Sequence, residues 1–125
     1  MDIKINFTQR PWGHYVKFFE EEGVWVKRVE VDPNGRISLQ KHEHRSEKWN
    51  IVSGSGVVTL NGKEIPVEGG SVIDVPVGAV HRIANTGHTP LVFIEVACGK
   101  HLSEEDIIRI QDDYHREEVL SEAQE

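Results

Sequence analysis

Gly, Pro and Asn interrupt this chain at short intervals over almost its whole length, and between them lie runs of about five to eight residues rich in Val, Ile and aromatics. β-branched and aromatic side chains pack well on a pleated surface, so these runs read as strands. They fall near 14–20, 24–31, 36–42, 47–53, 56–61, 63–67, 71–75, 80–85 and 90–97. The sharpest turn signal is Asn61-Gly62, set between Val57-Val58-Thr59-Leu60 and Lys63-Glu64-Ile65. A two-residue type I′ turn needs φ > 0 at both central positions, which Asn and Gly adopt at low cost. Pro33-Asn34-Gly35 and Glu68-Gly69-Gly70 mark further turns. Many short strands in one small chain predict an all-β sandwich or a closed barrel, and closure also removes sticky sheet edges. An immunoglobulin-type sandwich would want paired cysteines around a central Trp, whereas Cys98 stands alone.

Helical periodicity is read only at the end. Ser103 can cap a turn beginning Glu104-Glu105-Asp106, with Ile107, Ile108 and Ile110 as a short apolar stripe. A short C-terminal helical segment is therefore expected, with 116–125 either helical or a frayed tail. The 125 residues suit one domain, 1–125, with a barrel core at about 14–97 and an extension at about 103–125. Fourteen Lys and Arg against 21 Asp and Glu give a formal charge of −7, which disfavours nucleic acid as a partner. No apolar run approaches the ~18 residues of a bilayer span, and the N-terminus lacks a leader pattern. A cytoplasmic protein with no membrane partner is expected, its fold independent of disulfides.

Chemistry concentrates in Ser38-Leu39-Gln40-Lys41-His42-Glu43-His44-Arg45-Ser46-Glu47-Lys48-Trp49. Residues two apart on a strand share a face, so Ser38, Gln40, His42 and, if the strand continues, His44 project together. An amide oxygen, one or two imidazoles and then the carboxylate of Glu47 suit a divalent metal better than they suit packing. His81, where a turn ends and a strand begins, can supply a further donor. His14, His88, His101 and His115 read as surface or hydrogen-bonded residues.

Gly70-x5-Pro76-x-Gly78-x2-His81-x3-Asn85 matches the second cupin motif at every fixed position, and 35–54 resembles the first. The chain is similar to the type II mannose-6-phosphate isomerase domain, the cupin that usually ends bifunctional mannose-1-phosphate guanylyltransferases. The resemblance rests on Arg10-Pro-Trp-Gly13, Val26-Lys-Arg28, Ser38-Leu-Gln-Lys-His42, Arg45-Ser-Glu47, Trp49 and Val52-Ser-Gly54. It continues through Gly78-Ala-Val-His-Arg82, Ile94-Glu-Val96, Gly99, Glu105-Asp-Ile107 and Asp112-Asp-Tyr114. Where the family often has three histidines in a row, this chain reads His42-Glu43-His44. No nucleotidyltransferase domain is read in the sequence, so the resemblance carries over the isomerase half alone.

The resemblance implies a single-domain cupin, that is, a double-stranded β-helix or jelly-roll barrel. It implies a metal-dependent isomerase interconverting mannose 6-phosphate and fructose 6-phosphate, with zinc, or else Mn, Co, Ni or Fe. A literal reading of the first motif makes His42 and His44 the paired ligands, followed by Glu47. The preferred set is Gln40, His42, Glu47 and His81, because general cupins leave three or four residues between the second paired ligand and the glutamate. His44 is then the candidate for proton transfer, its intrinsic pKa lying near neutrality.

A phosphorylated sugar needs cations. If Val29 and Val31 face the interior, Lys27 does too, and a lysine buried in a barrel calls for an anion. Arg45 can grip phosphate oxygens in a fork, and Ser38 lies on the same face as the donors. Trp12, Trp25 and Trp49 read as core or subunit-contact residues. A homodimer is expected by analogy with small cupins. Two other functions are open: a non-catalytic sugar-phosphate-binding or regulatory cupin, and a non-haem iron dioxygenase built on His42, Glu47 and His81.

Overall fold

The computed structural model describes residues 6–116. Eleven strands follow in order: β1 (Asn6–Arg10), β2 (Gly13–Glu21), β3 (Val24–Val31), β4 (Leu39–Lys41), β5 (Ser46–Ser53), β6 (Ser55–Leu60), β7 (Lys63–Glu68), β8 (Val72–Val75), β9 (His81–Asn85), β10 (Leu91–Cys98) and β11 (Ile108–Gln111). They form two antiparallel sheets, a six-stranded one ordered β1-β2-β3-β10-β5-β8 and a five-stranded one ordered β11-β4-β9-β6-β7. Among the described residues no helix is long and apolar enough to cross a membrane.

Alternation sets which side chains enter the core. In β3, Trp25, Lys27, Val29 and Val31 are buried while the residues between them are half-buried, which places Lys27 inside. In β5, Glu47, Trp49 and Ile51 point in. Val29, Val31, Ile51, Val58, Ile83, Leu91 and Phe93 belong to one continuous apolar core. Trp49 packs on Phe93 with ring centroids 4.7 Å apart. Core and donor cluster therefore share strands, with Glu47 and Ile51 on β5 and His81 and Ile83 on β9.

Asn61 and Gly62 have φ of 49° and 81°, and Leu60 pairs with Lys63 across them, as the hairpin signal predicts. Two features differ from expectation. β1 joins the edge of the larger sheet without having been read as a strand, and the 36–42 strand shrinks to Leu39–Lys41 plus an isolated bridge from Arg36 to Ala84.

The expected C-terminal helical segment is also corrected. Ser103 does cap, its Oγ accepting from the Glu105 N–H at 3.1 Å, but the cap closes a single turn. The chain then extends as β11 along β4. Three β-branched isoleucines within four residues disfavour a helix, and the open edge of β4 offers backbone partners instead. The 117–125 part of the charged tail lies outside the described residues.

Candidate metal centre

β4 turns Gln40 inward, where its Cα pairs with His81, the first residue of β9. The chain leaves β4 after Lys41, so His42 sits where the strand ends. The turn before His81 is fastened to this point: the Gly78 N–H donates to the His42 carbonyl at 2.8 Å. β5 then returns Glu47 to the same place. Ligating atoms of His42, Glu47 and His81 all lie within 4.8 Å of one another, and the three residues are 2 %, 3 % and 1 % exposed.

Both imidazoles are held from behind. His42 Nδ1 lies 2.7 Å from the Asp106 carbonyl oxygen, and His81 Nδ1 lies 2.9 Å from that of Ala79. Each Nδ1–H donates to its carbonyl, which leaves each Nε2 with a lone pair, the arrangement that a metal-ligating histidine needs. Burial pushes the His81 pKa down against the opposing charge of Glu47, keeping the ring neutral. Glu47 receives the Trp49 indole N–H on Oε1 at 2.8 Å, and its Oε2 lies 3.2 Å from His42 Nε2 and 2.9 Å from Arg45 Nε. Burial alone would raise its pKa, but the closeness of His42 and the charge of Arg45 outweigh burial and hold it well below the usual carboxylate range. Two imidazole nitrogens and one ionised oxygen, buried and converging, fit a divalent metal. Arg45 is the cation these donors face, with a terminal nitrogen 3.1 Å from His42 Nε2.

A cavity opens beside the cluster, lined also by Ser38, Gln40, Lys27, Tyr15, Arg10, Arg109, Glu95 and Glu104. Lys27 sits over the rings of Tyr15 and Trp25, 4.0 and 4.5 Å from their centroids. Its Nζ pairs with Glu104 Oε1 at 2.8 Å, while Glu104 Oε2 pairs with Lys17 at 3.0 Å. Burial would raise the Glu104 pKa, but the two lysines outweigh it and hold it low. Glu95 is the opposite case. Burial, then the negative charge of Glu47, push its pKa up to about 8 against the pull of Lys27 and Arg45.

Of the residues singled out from sequence, Lys27, Ser38, Gln40, His42, Arg45, Glu47 and His81 all line this one cavity. The Gln40 amide nitrogen donates to the Ser38 carbonyl and hydroxyl at 3.2 and 3.1 Å. His44 is not brought there. Because β4 stops at Lys41, strand alternation fails beyond it, and His44 is exposed with its ring edge-on to His101 at 6.0 Å. Arg82 is buried away from the cavity, bonding the Ile37 carbonyl and the Gln111 side chain. Glu95 and Glu104 were missed. The inward parity of Phe93, Glu95 and Ala97 in β10 was readable; the reach of Glu104 across 77 residues to Lys27 was not.

Two antiparallel sheets around a buried His–Glu–His cluster define a cupin. Against the cupin domain of Schizosaccharomyces pombe Cnp3 the TM-score is 0.68 at 21 % identity, covering 75 % of this chain and 68 % of that one. Against the capsular polysaccharide assembling protein CapF of Staphylococcus aureus it is 0.76 at 24 % identity, covering 86 % and 34 %. Within that class the chain belongs to the mannose-6-phosphate isomerase C-terminal family, whose model matches residues 4–112. It is 41 % identical over 107 residues to a mannose-1-phosphate guanylyltransferase of Klebsiella pneumoniae, a match covering 86 % of this chain and 23 % of that protein. The chain thus spans less than a quarter of the length of the curated relatives it matches.

Proposed function

We propose that this protein is a metal-dependent aldose–ketose isomerase that interconverts mannose 6-phosphate and fructose 6-phosphate. The observation that carries the reading is the pair of histidines, each with Nδ1 tied to a backbone carbonyl, meeting Glu47 in a cavity that also holds Lys27. Family membership supports the same choice.

His42, Glu47 and His81 would hold the ion, with the Gln40 amide oxygen as fourth donor. Zinc suits this set best, with Mn, Co, Ni or Fe as alternatives. The ion would supply Lewis-acid polarisation of the sugar oxygens where negative charge develops. Lys27 and Arg45 bind the phosphate, the former exchanging its Glu104 partner for the phosphate oxygens. Ser38 offers a hydroxyl to the sugar. Tyr15 and Trp49 wall the cavity and limit the access of water to the reacting carbons. The same reading takes the protein to be cytoplasmic and homodimeric.

Purified protein loaded with Zn²⁺, Co²⁺ or Mn²⁺ should convert mannose 6-phosphate to fructose 6-phosphate, with about one ion per chain by elemental analysis. Binding of the sugar phosphate without turnover would replace this reading with a non-catalytic, sugar-phosphate-binding cupin. Oxygen consumption with Fe²⁺ would point to a dioxygenase.

A further inference from the structure

An aldose–ketose isomerase needs a group that moves a proton between adjacent carbons, and His44 lies outside the cavity. Among the described residues three carboxyl groups line it: Glu47, Glu104 and Glu95. Glu47 is engaged by Arg45 and His42, and Glu104 by Lys17 and Lys27. Glu95 is held differently. It sits inside β10 with β3 on one side and β5 on the other, its Cα paired with Lys27 and Trp49. The side chain is 7 % exposed, and its Oε2 accepts the indole N–H of Trp25 at 2.9 Å. A carboxyl placed mid-strand among apolar neighbours is costly to bury, and packing alone gives it no return.

We propose that the side-chain carboxyl of Glu95 takes the proton from one of the two reacting carbons of the bound sugar phosphate and returns it to the other. The inference rests on the isomerase reading and adds the proton carrier to it. In the aldose-to-ketose direction the Glu95 carboxylate removes the C2 proton. The C2–H pair becomes the C1=C2 bond, and the C1=O1 π pair moves onto O1. The electrons then return: C2=O2 forms, the O2 proton passes to O1, and the C1=C2 pair takes the proton on Glu95 to C1. Protons and electrons balance, and Glu95 ends as it began.

The surroundings suit that task. The groups facing Glu95 are Lys27 from β3, Glu47 from β5 and Arg45 just before β5, and burial with the charge of Glu47 prevails. A carboxyl poised near the working pH is a stronger base than an ordinary glutamate and still reprotonates readily.

The test is E95Q, nearly isosteric and able to keep the Trp25 hydrogen bond, assayed as the metal-loaded protein on mannose 6-phosphate. The expected result is kcat lowered about 10²- to 10⁴-fold. KM and bound metal should change less than about threefold, since neither depends on the proton carrier. E95D, a carboxyl set back by one methylene, should recover part of kcat. If E95Q keeps kcat within about threefold of wild type, the assignment is overturned. Where E95Q fails to fold or to keep its metal, E95D decides: an unmoved pH–rate profile overturns the assignment and a displaced one supports it. A wild-type protein that binds metal but turns over no sugar phosphate would sink the isomerase reading itself, a result distinct from an active wild type with an indifferent Glu95.

Discussion

His42 Nδ1 and the backbone carbonyl of Asp106 meet at 2.7 Å across 64 residues of chain. The side chain of Asp106 tightens the same joint, accepting the backbone N–H groups of Glu43 and His44 at 2.9 Å each. An imidazole of the candidate metal centre is thus aimed by the turn that precedes β11.

D106A should loosen that aim without touching a ligand. Metal affinity is expected to fall by about 10- to 100-fold, the usual cost of losing an outer-shell partner. Competition with a calibrated chelator measures it, and an unchanged affinity would show that the turn does not position His42.

Removing ligands should separate metal loss from fold loss. H81A is expected to abolish stoichiometric metal binding while the barrel stays folded. E47Q should do so too, but it also leaves the buried Arg45 guanidinium without its anion, which costs about 3–5 kcal/mol. Denaturant titration of the two variants should show E47Q as the less stable; equal stability would mean that Arg45 finds another partner.

The anion site predicts a competition. Glu104 occupies Lys17 and Lys27, so E104Q should tighten binding of inorganic phosphate and of mannose 6-phosphate, and K27M should weaken both. About tenfold in each direction follows from charge-assisted hydrogen bonds worth roughly 1.5–3 kcal/mol. Calorimetry on the metal-loaded protein checks both, and an E104Q protein with weaker phosphate binding would mean that the glutamate supports the ligand instead of competing with it.

The pH dependence of stability isolates Glu95. Its folded pKa of about 8 lies above the ordinary glutamate value, so between these two the native state holds a proton that the unfolded state has released. Its contribution is full at acid pH and is lost as pH rises from about 4.5 towards 8. Over that window metal-free wild type should lose a few kcal/mol relative to E95Q. Parallel stability–pH curves for the two proteins would show that Glu95 titrates normally.

Local rules carried the reading a long way in some places. Asn61-Gly62 announced its hairpin because few residue pairs accept two positive φ angles, and alternation tied Lys27 to the side that Val29 and Val31 take. The rule that placed Lys27 misplaced His44, since parity holds only while the strand lasts and β4 ends at Lys41. The Ile107–Ile110 stretch was misread because a helical stripe and a β-branched run look alike over four residues, and the free edge of β4 decided between them. Glu95 was visible as a lone acid in the apolar run 91–97. The anion that meets Lys27 was not, because sequence shows that a buried lysine needs a partner without showing which distant acid supplies it.

The turn at 103–106 has a practical meaning for anyone wishing to shorten or transplant this domain. A version cut after β10 would retain the aliphatic packing between the two sheets, yet Lys27 would lose Glu104 and His42 would lose the carbonyl that orients its ring. The stretch of polypeptide that supplies the aliphatic packing and the stretch that supplies the site are therefore of different lengths, and a scaffold borrowed from this barrel has to carry its tail through Asp106 to bring the chemistry along.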